Sequence, residues 1–206
     1  MSPPGGVPIS LHAHEASASG DSRTSIDAMA ARYRQAGFGT VGFVGHDATP
    51  ETPNRAALPV VVGIEHELRT EPRRLHVVEY PQFGFRFLAH PNLTWPENTR
   101  ENAADYVASH DVDAVERWNR GIQQYEGHIS GVAELANDDA HNPHQIGDSH
   151  MVFPTGVLRD SQGLSLHRVF DALRRGEFWA VNRARNPARY AAGRLRQVYS
   201  LTRAEI

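Results

Sequence analysis

The first residues of this chain whose types and spacing suit chemistry are two histidines, His12 and His14. They stand in segment 9–14, an apolar stretch that predicts a short strand, and alternate side chains of a strand share one face. Both imidazoles should therefore lie on one face, where they could bind one metal ion together. A single His-x-His pair is a weak signal because short motifs often match by chance, so its weight depends on the rest of the chain.

Histidines and carboxylates recur farther along, each just past an apolar segment that predicts a strand. The chain has twelve histidines, whereas average usage of ~2% would give about four or five. Imidazole and carboxylate together suit Zn, Mn and Fe, and a shared carboxylate can hold two ions ~3.5–4 Å apart, as in hydrolytic two-metal sites. We therefore predict that the chain binds two or three divalent metal ions (Mn, Fe or Zn). The candidates at these strand ends are His46, Asp47, Glu65, His90, Asp139 and His141.

Predicted strands alternate with helices or loops along the chain. Apolar patterns predict strands over 9–14, 40–44, 60–64, 75–78, 85–89 and 114–118, and helices over 25–36, 98–109 and 165–175. This order indicates an α/β chain with a mainly parallel sheet or barrel, in which active sites collect at the C-terminal rim of the strands. A length of 206 residues suits one core, so we predict a single domain over 1–206.

Composition excludes several classes of function. The net charge is −3, with no long basic run, which argues against nucleic-acid binding because the patch that would neutralise phosphates is missing. The absence of cysteine excludes disulfides and thiolate metal ligands. No apolar run approaches the ~20 residues that span a bilayer, and the first residues lack the pattern of a signal peptide. We therefore predict a cytoplasmic protein with no membrane association.

Seven short motifs follow one another in a fixed order between residues 9 and 180. They are Leu11-His12-Ala13-His14, Gly45-His46-Asp47, Gly63-Ile64-Glu65, Leu75-His76-Val77-Val78, Ala89-His90-Pro91, Val115-Glu116-Arg117-Trp118-Asn119 and Asp139-Ala140-His141. The ordered set resembles the PHP (polymerase and histidinol phosphatase) superfamily, and the compact spacing is most similar to its small stand-alone members. The resemblance implies an α/β fold, a distorted seven-stranded β/α barrel over 9–180 with a metal cluster at the C-terminal rim. Residues 181–206 remain as an Ala/Arg-rich tail that we predict to be helical.

The resemblance also implies which residues bind metal. Glu65 matches the bridging glutamate of the family, and Asp21 matches the aspartate or histidine that follows the opening motif. Gly45 stands where the family has an aspartate before His46. The implied ligands are His12, His14, Asp21, His46, Glu65, His76, His90, Asp139 and His141.

These features predict a phosphoesterase that hydrolyses a small phosphorylated molecule with a metal-activated hydroxide. Arginine binds phosphate oxygens bidentately; of the candidates Arg23, Arg55, Arg69, Arg117 and Arg120, we favour Arg23 and Arg117 as catalytic residues. Three alternatives stay open: hydrolysis of an amide, carbamate or ester, metal binding without hydrolysis, and a redox use of an iron-loaded site. A proton-transfer or supporting role falls to Asp47, Glu15 or Glu116.

Overall fold

The computed structural model describes residues 5–53, 57–70, 73–91, 100–160 and 163–183. The described residues form twelve strands and four α-helices. The strands are β1 (Gly6–Ala13), β2 (Thr40–His46), β3 (Val60–Thr70), β4 (Arg73–Tyr80), β5 (Phe85–Ala89), β6 (Ala114–Asn119), β7 (Ile122–Gln123), β8 (Ala133–Asn137), β9 (Ser149–Pro154), β10 (Arg159–Asp160), β11 (Gly163–Leu164) and β12 (Trp179–Asn182). The helices are α1 (Ile26–Gln35), α2 (Arg100–Ser109), α3 (Thr155–Leu158) and α4 (Leu166–Arg174).

Ten of the strands form one barrel-like sheet. Their order is β12-β9-β1-β2-β3-β4-β5-β6-β7, and β8 also pairs with β6. The segment that follows β8 pairs with the end of β1. Ala13 and Ala140 form a parallel bridge, and the backbone N–H of His14 donates to the carbonyl of Ala140 at 2.9 Å. The sheet is thus a nearly closed barrel, and its strand count differs from the seven that the family resemblance implied.

The sheet is mixed, where the sequence predicted a mainly parallel one. Four pairs are parallel (β1–β2, β2–β3, β5–β6 and β6–β8), whereas β4 runs antiparallel to both β3 and β5. The lengths of the connections explain the difference, because a parallel crossover needs about a dozen residues or more. In sequence, two residues separate β3 from β4 and four separate β4 from β5. As a consequence, β4 begins at the edge of the barrel where β5 ends. β3 also runs on to Thr70 instead of ending at Glu65.

The apolar core supports the rim that carries the histidines. Helix α1 begins at Ser25, whose hydroxyl accepts the backbone N–H of Ala28, and it buries Met29 and Tyr33. Helix α4 contributes Phe170 to an apolar cluster with strand residues such as Phe87. The ring of Phe87 in turn meets the imidazole of His12 edge-on, with centroids 6.1 Å apart. The predicted site therefore rests directly on the core.

The C-terminal segment is described only at its beginning. Residues 181 and 182 belong to β12, which pairs antiparallel with β9, so the predicted helix does not start there. The rest of the predicted helical tail, residues 184–206, lies outside the described residues. Among the helices that the structure describes, none is long and apolar enough to cross a membrane.

Candidate metal centre

Five histidines surround the carboxylate of Glu65, which is only 2% exposed, and four of them lie within 3.4 Å of its oxygens. Its Oε1 lies 2.7 Å from Nδ1 of His76 and 2.9 Å from Nε2 of His90. Its Oε2 lies 3.3 Å from Nε2 of His46 and 3.4 Å from Nε2 of His14. Both carboxylate oxygens therefore have imidazole neighbours from different strands, which is the arrangement that a shared metal ligand requires.

Asp139 brings a second carboxylate to the same place. Its Oδ1 lies 3.2 Å from Nε2 of His14 and 3.7 Å from Nε2 of His12. Its Oδ2 is held by Nη2 of Arg120 at 2.8 Å. Asp139 has a φ of 45°, a left-handed conformation that non-glycine residues adopt rarely. The chain thus turns sharply after β8, and this turn is part of the site.

His141 and Asp21 form the outer part of the cluster. Nε2 of His141 lies 2.8 Å from Oδ2 of Asp21, and the ring of His141 stacks on that of His14 with centroids 4.1 Å apart. The side chains of Asp21 and His46 are 40% and 45% exposed, whereas those of His12 and His14 are buried. The cluster therefore opens to solvent on the side of Asp21 and His46.

The structure brings the predicted ligands together from six strands that are far apart in sequence. Eight of them form four overlapping groups, in each of which the ligand atoms lie within 4.8 Å of one another. The ninth, Asp21, contacts one group through His141. Their role as ligands remains a prediction. The groups are His14, His46 and His141; His12, His14 and Glu65; His12, His90 and Asp139; and Glu65, His76 and His90.

Four buried atoms of the cluster fit a bound cation. They are Nε2 of His12, Nε2 of His14, Oδ1 of Asp21 and Oδ1 of Asp139, and none has a hydrogen-bond partner. Burying a polar atom without a partner costs about 1–3 kcal/mol, so four such atoms in one cluster are unusual for a site that is complete. Imidazole and carboxylate are also ligands that Zn, Mn and Fe accept. The residues present therefore fit a metal centre.

Electrostatics favour the same conclusion. Burial would raise the pKa of both Asp139 and Glu65. Arg120 and His12 lower the pKa of Asp139, and His12 with the other histidines lowers the pKa of Glu65. The pKa of each carboxyl is held well below its usual range. Burial would lower the pKa of His12, but the charges of Asp139, Glu116 and Glu65 raise it well above its usual value. The pKa of His14 falls to about 3 through burial and the neighbouring His141. The two carboxylates thus stay charged at neutral pH and attract positive charge.

Gly45 explains how this chain departs from the family pattern before His46. A Cβ atom at Gly45 would lie 2.3 Å from Cβ of Ala18 and 2.6 Å from the carbonyl oxygen of Ala48, so an aspartate has no room there. The loop that occupies this space is held by Glu15, whose Oε1 accepts from the backbone N–H of Ala18 at 3.1 Å and from Oγ of Ser17 at 2.6 Å. Glu15 therefore shapes the wall of the cluster and contacts none of the predicted ligands in the described hydrogen bonds.

Arg117 is not brought to the cluster. Its Nη1 lies 2.6 Å from Oε2 of Glu134, and its guanidinium stands 4.7 Å from the ring centroid of Trp118. The physical reason is strand alternation, because Glu116 faces the histidines and its neighbour therefore faces away. Arg120, which the sequence offers as one candidate among several, occupies the cluster instead.

Asp47 and Arg23 lie at the margin of the site. The side chain of Asp47 is 64% exposed, and its Oδ1 accepts the backbone N–H of Glu67 at 3.1 Å. Asp47 belongs to none of the four groups. Arg23 is exposed and follows Asp21 by two residues. A contact of Arg23 with substrate remains a prediction.

Sequence reasoning missed a buried polar network behind the histidines. Glu116, Asn119 and Asn137 are all 0% exposed and are bonded to one another, because the amides of Asn119 and Asn137 donate to Glu116 at 2.7 and 2.9 Å. Glu116 and Asn119 share one sequence motif, but the partnership with Asn137 depends on the register between β6 and β8. Only the fold reveals it.

Comparisons with known proteins agree on the fold. No family model and no curated protein matches the chain. Among solved structures, it is similar to one from Bifidobacterium adolescentis described as a "putative metal-dependent phosphoesterase", with 12% identity, a TM-score of 0.56, and coverage of 85% of this chain and 98% of that one. It is also similar to PsfC from Pseudomonas syringae PB-5123, with 12% identity, a TM-score of 0.56, and coverage of 94% and 98%. At such identities the likeness shows the fold alone.

Proposed function

We propose that this chain is a PHP-type, metal-dependent phosphoesterase that hydrolyses a small phosphorylated molecule. The observation that carries the proposal is the convergence of histidines on two buried carboxylates, with four ligand atoms left without hydrogen-bond partners. A similar solved structure bears the description "putative metal-dependent phosphoesterase", which supports the same class of reaction.

Two or three divalent ions would be held by the four groups of side chains. Glu65 belongs to two of these groups and would be the shared ligand. His76 and His90 would complete one side, and His14 and His46 the other. When bound, the ions would lower the pKa of water and neutralise negative charge on a phosphoryl oxygen.

The chain's own residues orient this centre and admit the substrate. Arg120 holds the carboxylate of Asp139 at 2.8 Å and fixes its position in the turn after β8. The half-exposed side chains of Asp21 and His46 mark the side from which a substrate can enter. We place Arg23 on that side as the group that binds phosphate oxygens, since a guanidinium can contact two of them at once. A phosphate ester fits this charge distribution better than a neutral acyl substrate.

The test is a substrate screen with defined metals. The protein is stripped of metal, reloaded with Mn, Fe or Zn, and assayed against phosphomonoesters, nucleotides and acyl substrates. We expect phosphate release with at least one metal, and its loss in His12→Ala. His128→Ala is the matched control, because His128 is 67% exposed and belongs to none of the four groups.

Two results would contradict the proposal. Turnover of acyl substrates alone would assign the centre to amide, carbamate or ester hydrolysis. Metal binding without hydrolysis of any substrate class would favour a non-catalytic metal-binding role.

A further inference from the structure

We infer that Glu116 is a positioning residue, which determines the ring nitrogen that His12 presents to the metal centre. The inference rests on the proposed metal site, but it holds whether the bond that is hydrolysed is a phosphoester or another. Glu116 belongs to none of the four groups of potential ligands, and its carboxylate lies behind the imidazole of His12.

Glu116 is a fully buried carboxylate surrounded by hydrogen-bond donors. Its Oε2 accepts the backbone N–H of His90 at 2.8 Å and the amide of Asn119 at 2.7 Å. Its Oε1 accepts the amide of Asn137 at 2.9 Å and faces Nδ1 of His12 at 3.2 Å. The orientation of the Asn137 amide is fixed independently, because its Oδ1 accepts the backbone N–H of Leu11 at 2.7 Å.

This arrangement selects one form of the His12 ring. A carboxylate can only accept hydrogen bonds, so Nδ1 of His12 must carry a hydrogen to bond with Glu116. In the neutral ring, which is the form that binds a metal ion, Nε2 then carries the lone pair. Nε2 points into the cluster, 3.5 Å from Oε1 of Glu65 and 3.7 Å from Oδ1 of Asp139. This is the form in which an imidazole binds a metal ion, and a carboxylate behind the ring is a common way to secure it.

The same carboxylate also secures a second predicted ligand. His90 has a φ of 23°, in the left-handed region that costs energy for a side chain other than glycine. Its backbone N–H is the group that donates to Glu116. Glu116 thus ties His12 of β1 and His90, which follows β5, to the same point on β6. We therefore expect Glu116 to determine metal affinity through both histidines.

The test compares zinc binding by wild type, Glu116→Gln and Glu116→Asp. A glutamine places an NH2 group among donors, and where that group meets Nδ1 it favours the ring form whose Nε2 carries the hydrogen. We expect Glu116→Gln to lower zinc affinity about 10- to 100-fold, measured by competition with a chromophoric chelator. Glu116→Asp keeps an acceptor-only group and should recover part of the affinity. Circular dichroism of the metal-free proteins verifies that each variant is folded.

Glu79→Gln is the matched control. Glu79 also contacts a histidine, since its Oε2 lies 3.1 Å from Nε2 of His66, but neither residue belongs to the four groups. Its zinc affinity should equal that of wild type. Equal affinity in folded Glu116→Gln would overturn the inference and leave the proposed function standing. Zinc binding by wild type together with no phosphate release under Mn, Fe or Zn would contradict the phosphoesterase and leave the inference standing.

A second measurement leaves Glu116 unchanged and observes the His12 ring directly. In the zinc-loaded protein, long-range ¹⁵N–¹H spectra distinguish a metal-bound nitrogen from one that carries hydrogen. We expect Nδ1 of His12 to carry hydrogen and Nε2 to bind zinc, with His12→Gln identifying the signals. Zinc on Nδ1, or no zinc on His12, would overturn the inference.

Discussion

Glutamate, histidine and arginine meet in two regions of this molecule, and only one of them is suited to metal. Beside β6 and β8, Glu134 is paired with Arg117 at 2.6 Å and with Nδ1 of His128 at 2.9 Å, and it also accepts the backbone N–H of Ile129. Each oxygen of Glu134 therefore has a donor. At the rim, by contrast, several imidazole nitrogens lie near the two carboxylate oxygens of Glu65, and Nε2 of His12 has no hydrogen-bond partner.

The difference teaches that residue types alone do not define a metal centre. In the Glu134 region both carboxylate oxygens are paired with donors, and the atom left without a partner, Nε of Arg117, is itself a donor that cannot bind a cation. The Glu65 region collects buried ligand atoms that point at one another, which becomes favourable when positive charge lies between them. A metal site is thus recognised by atoms that are buried, close together and incompletely bonded.

The largest expected effect is the difference in phosphate release between variants of Glu65 and of Glu134. Glu65→Gln should lower phosphate release by about 100-fold or more, since it removes the shared ligand, whereas loss of an outer partner costs at most about that much. Glu134→Gln should leave the rate within about two-fold of wild type. Steady-state kinetics and metal content of both variants measure this. Comparable losses in the two variants would erase the distinction between the regions.

A buried histidine outside both regions shows how this fold treats an imidazole without a carboxylate. Burial and the charge of Arg183 lower the pKa of His150 from 6.5 to about 4. The pKa of His150 is lower in the folded state than in the unfolded state. Its contribution to the free energy of unfolding is therefore complete above pH ~6.5 and is lost as the pH falls toward 4. The free energy of unfolding should drop by about 3 kcal/mol between pH 7 and pH 4 on this account.

Urea denaturation of wild type and His150→Gln across this range gives the measurement. The difference between the two curves isolates His150 from other groups that titrate in the same range. A difference that does not change with pH would show that His150 is not held neutral by the fold.

Metal should stabilise the protein through the Glu65 region alone. At a free zinc concentration about 100 times the Kd, binding adds ~2.7 kcal/mol, which corresponds to a rise in Tm of about 5–11 °C for a chain of this size. Thermal unfolding should show this rise in wild type and in His128→Ala. His12→Ala should show a smaller rise or none. A full rise in His12→Ala would mean that zinc binds outside the rim.

The smallest expected effect concerns Arg117. Arg117→Ala removes an ion pair and a contact with the Trp118 ring, which should cost about 1 kcal/mol of stability. The value of kcat/KM should not change, because the guanidinium lies away from the cluster. Urea denaturation and kinetics on the same sample measure both quantities. A loss of activity above about tenfold would return Arg117 to the catalytic role that the sequence predicted.

The position of the site was predictable because the carboxyl ends of parallel strands meet at one edge. This rule is enough to bring His12, His46 and Asp139 to one rim from the sequence alone, although they are far apart along the chain. His76 reaches the site differently. It stands near the beginning of β4, and it arrives at the rim because β4 runs antiparallel to its neighbours. The sequence motif identified His76 as a candidate ligand, but only the structure shows the direction of its strand.

Side-chain direction and register account for what the sequence did not reveal. Whether Glu116 or Arg117 faces the cluster depends on how β6 pairs with its neighbours, where the register shifts between Glu116 and Trp118. The choice between Arg117 and Arg120 turns on that same shift and on the positive φ of Arg120. Neither the register shift of β6 nor the positive φ of Arg120 can be recognised from composition or periodicity. Side-chain contacts across strands are therefore the part that sequence patterns did not supply.

The bridge between Ala13 and Ala140 has a consequence for how the protein folds. It joins the first strand to the segment after β8, and such long-range closure is slow because a large loop must be ordered first. His12 and Asp139 approach each other only when that closure is complete, so the ligand set does not exist in earlier folding states. We expect zinc added at the start of refolding to leave the folding rate unchanged and to slow unfolding. Metal would then stabilise the folded barrel without contributing to its folding nucleus.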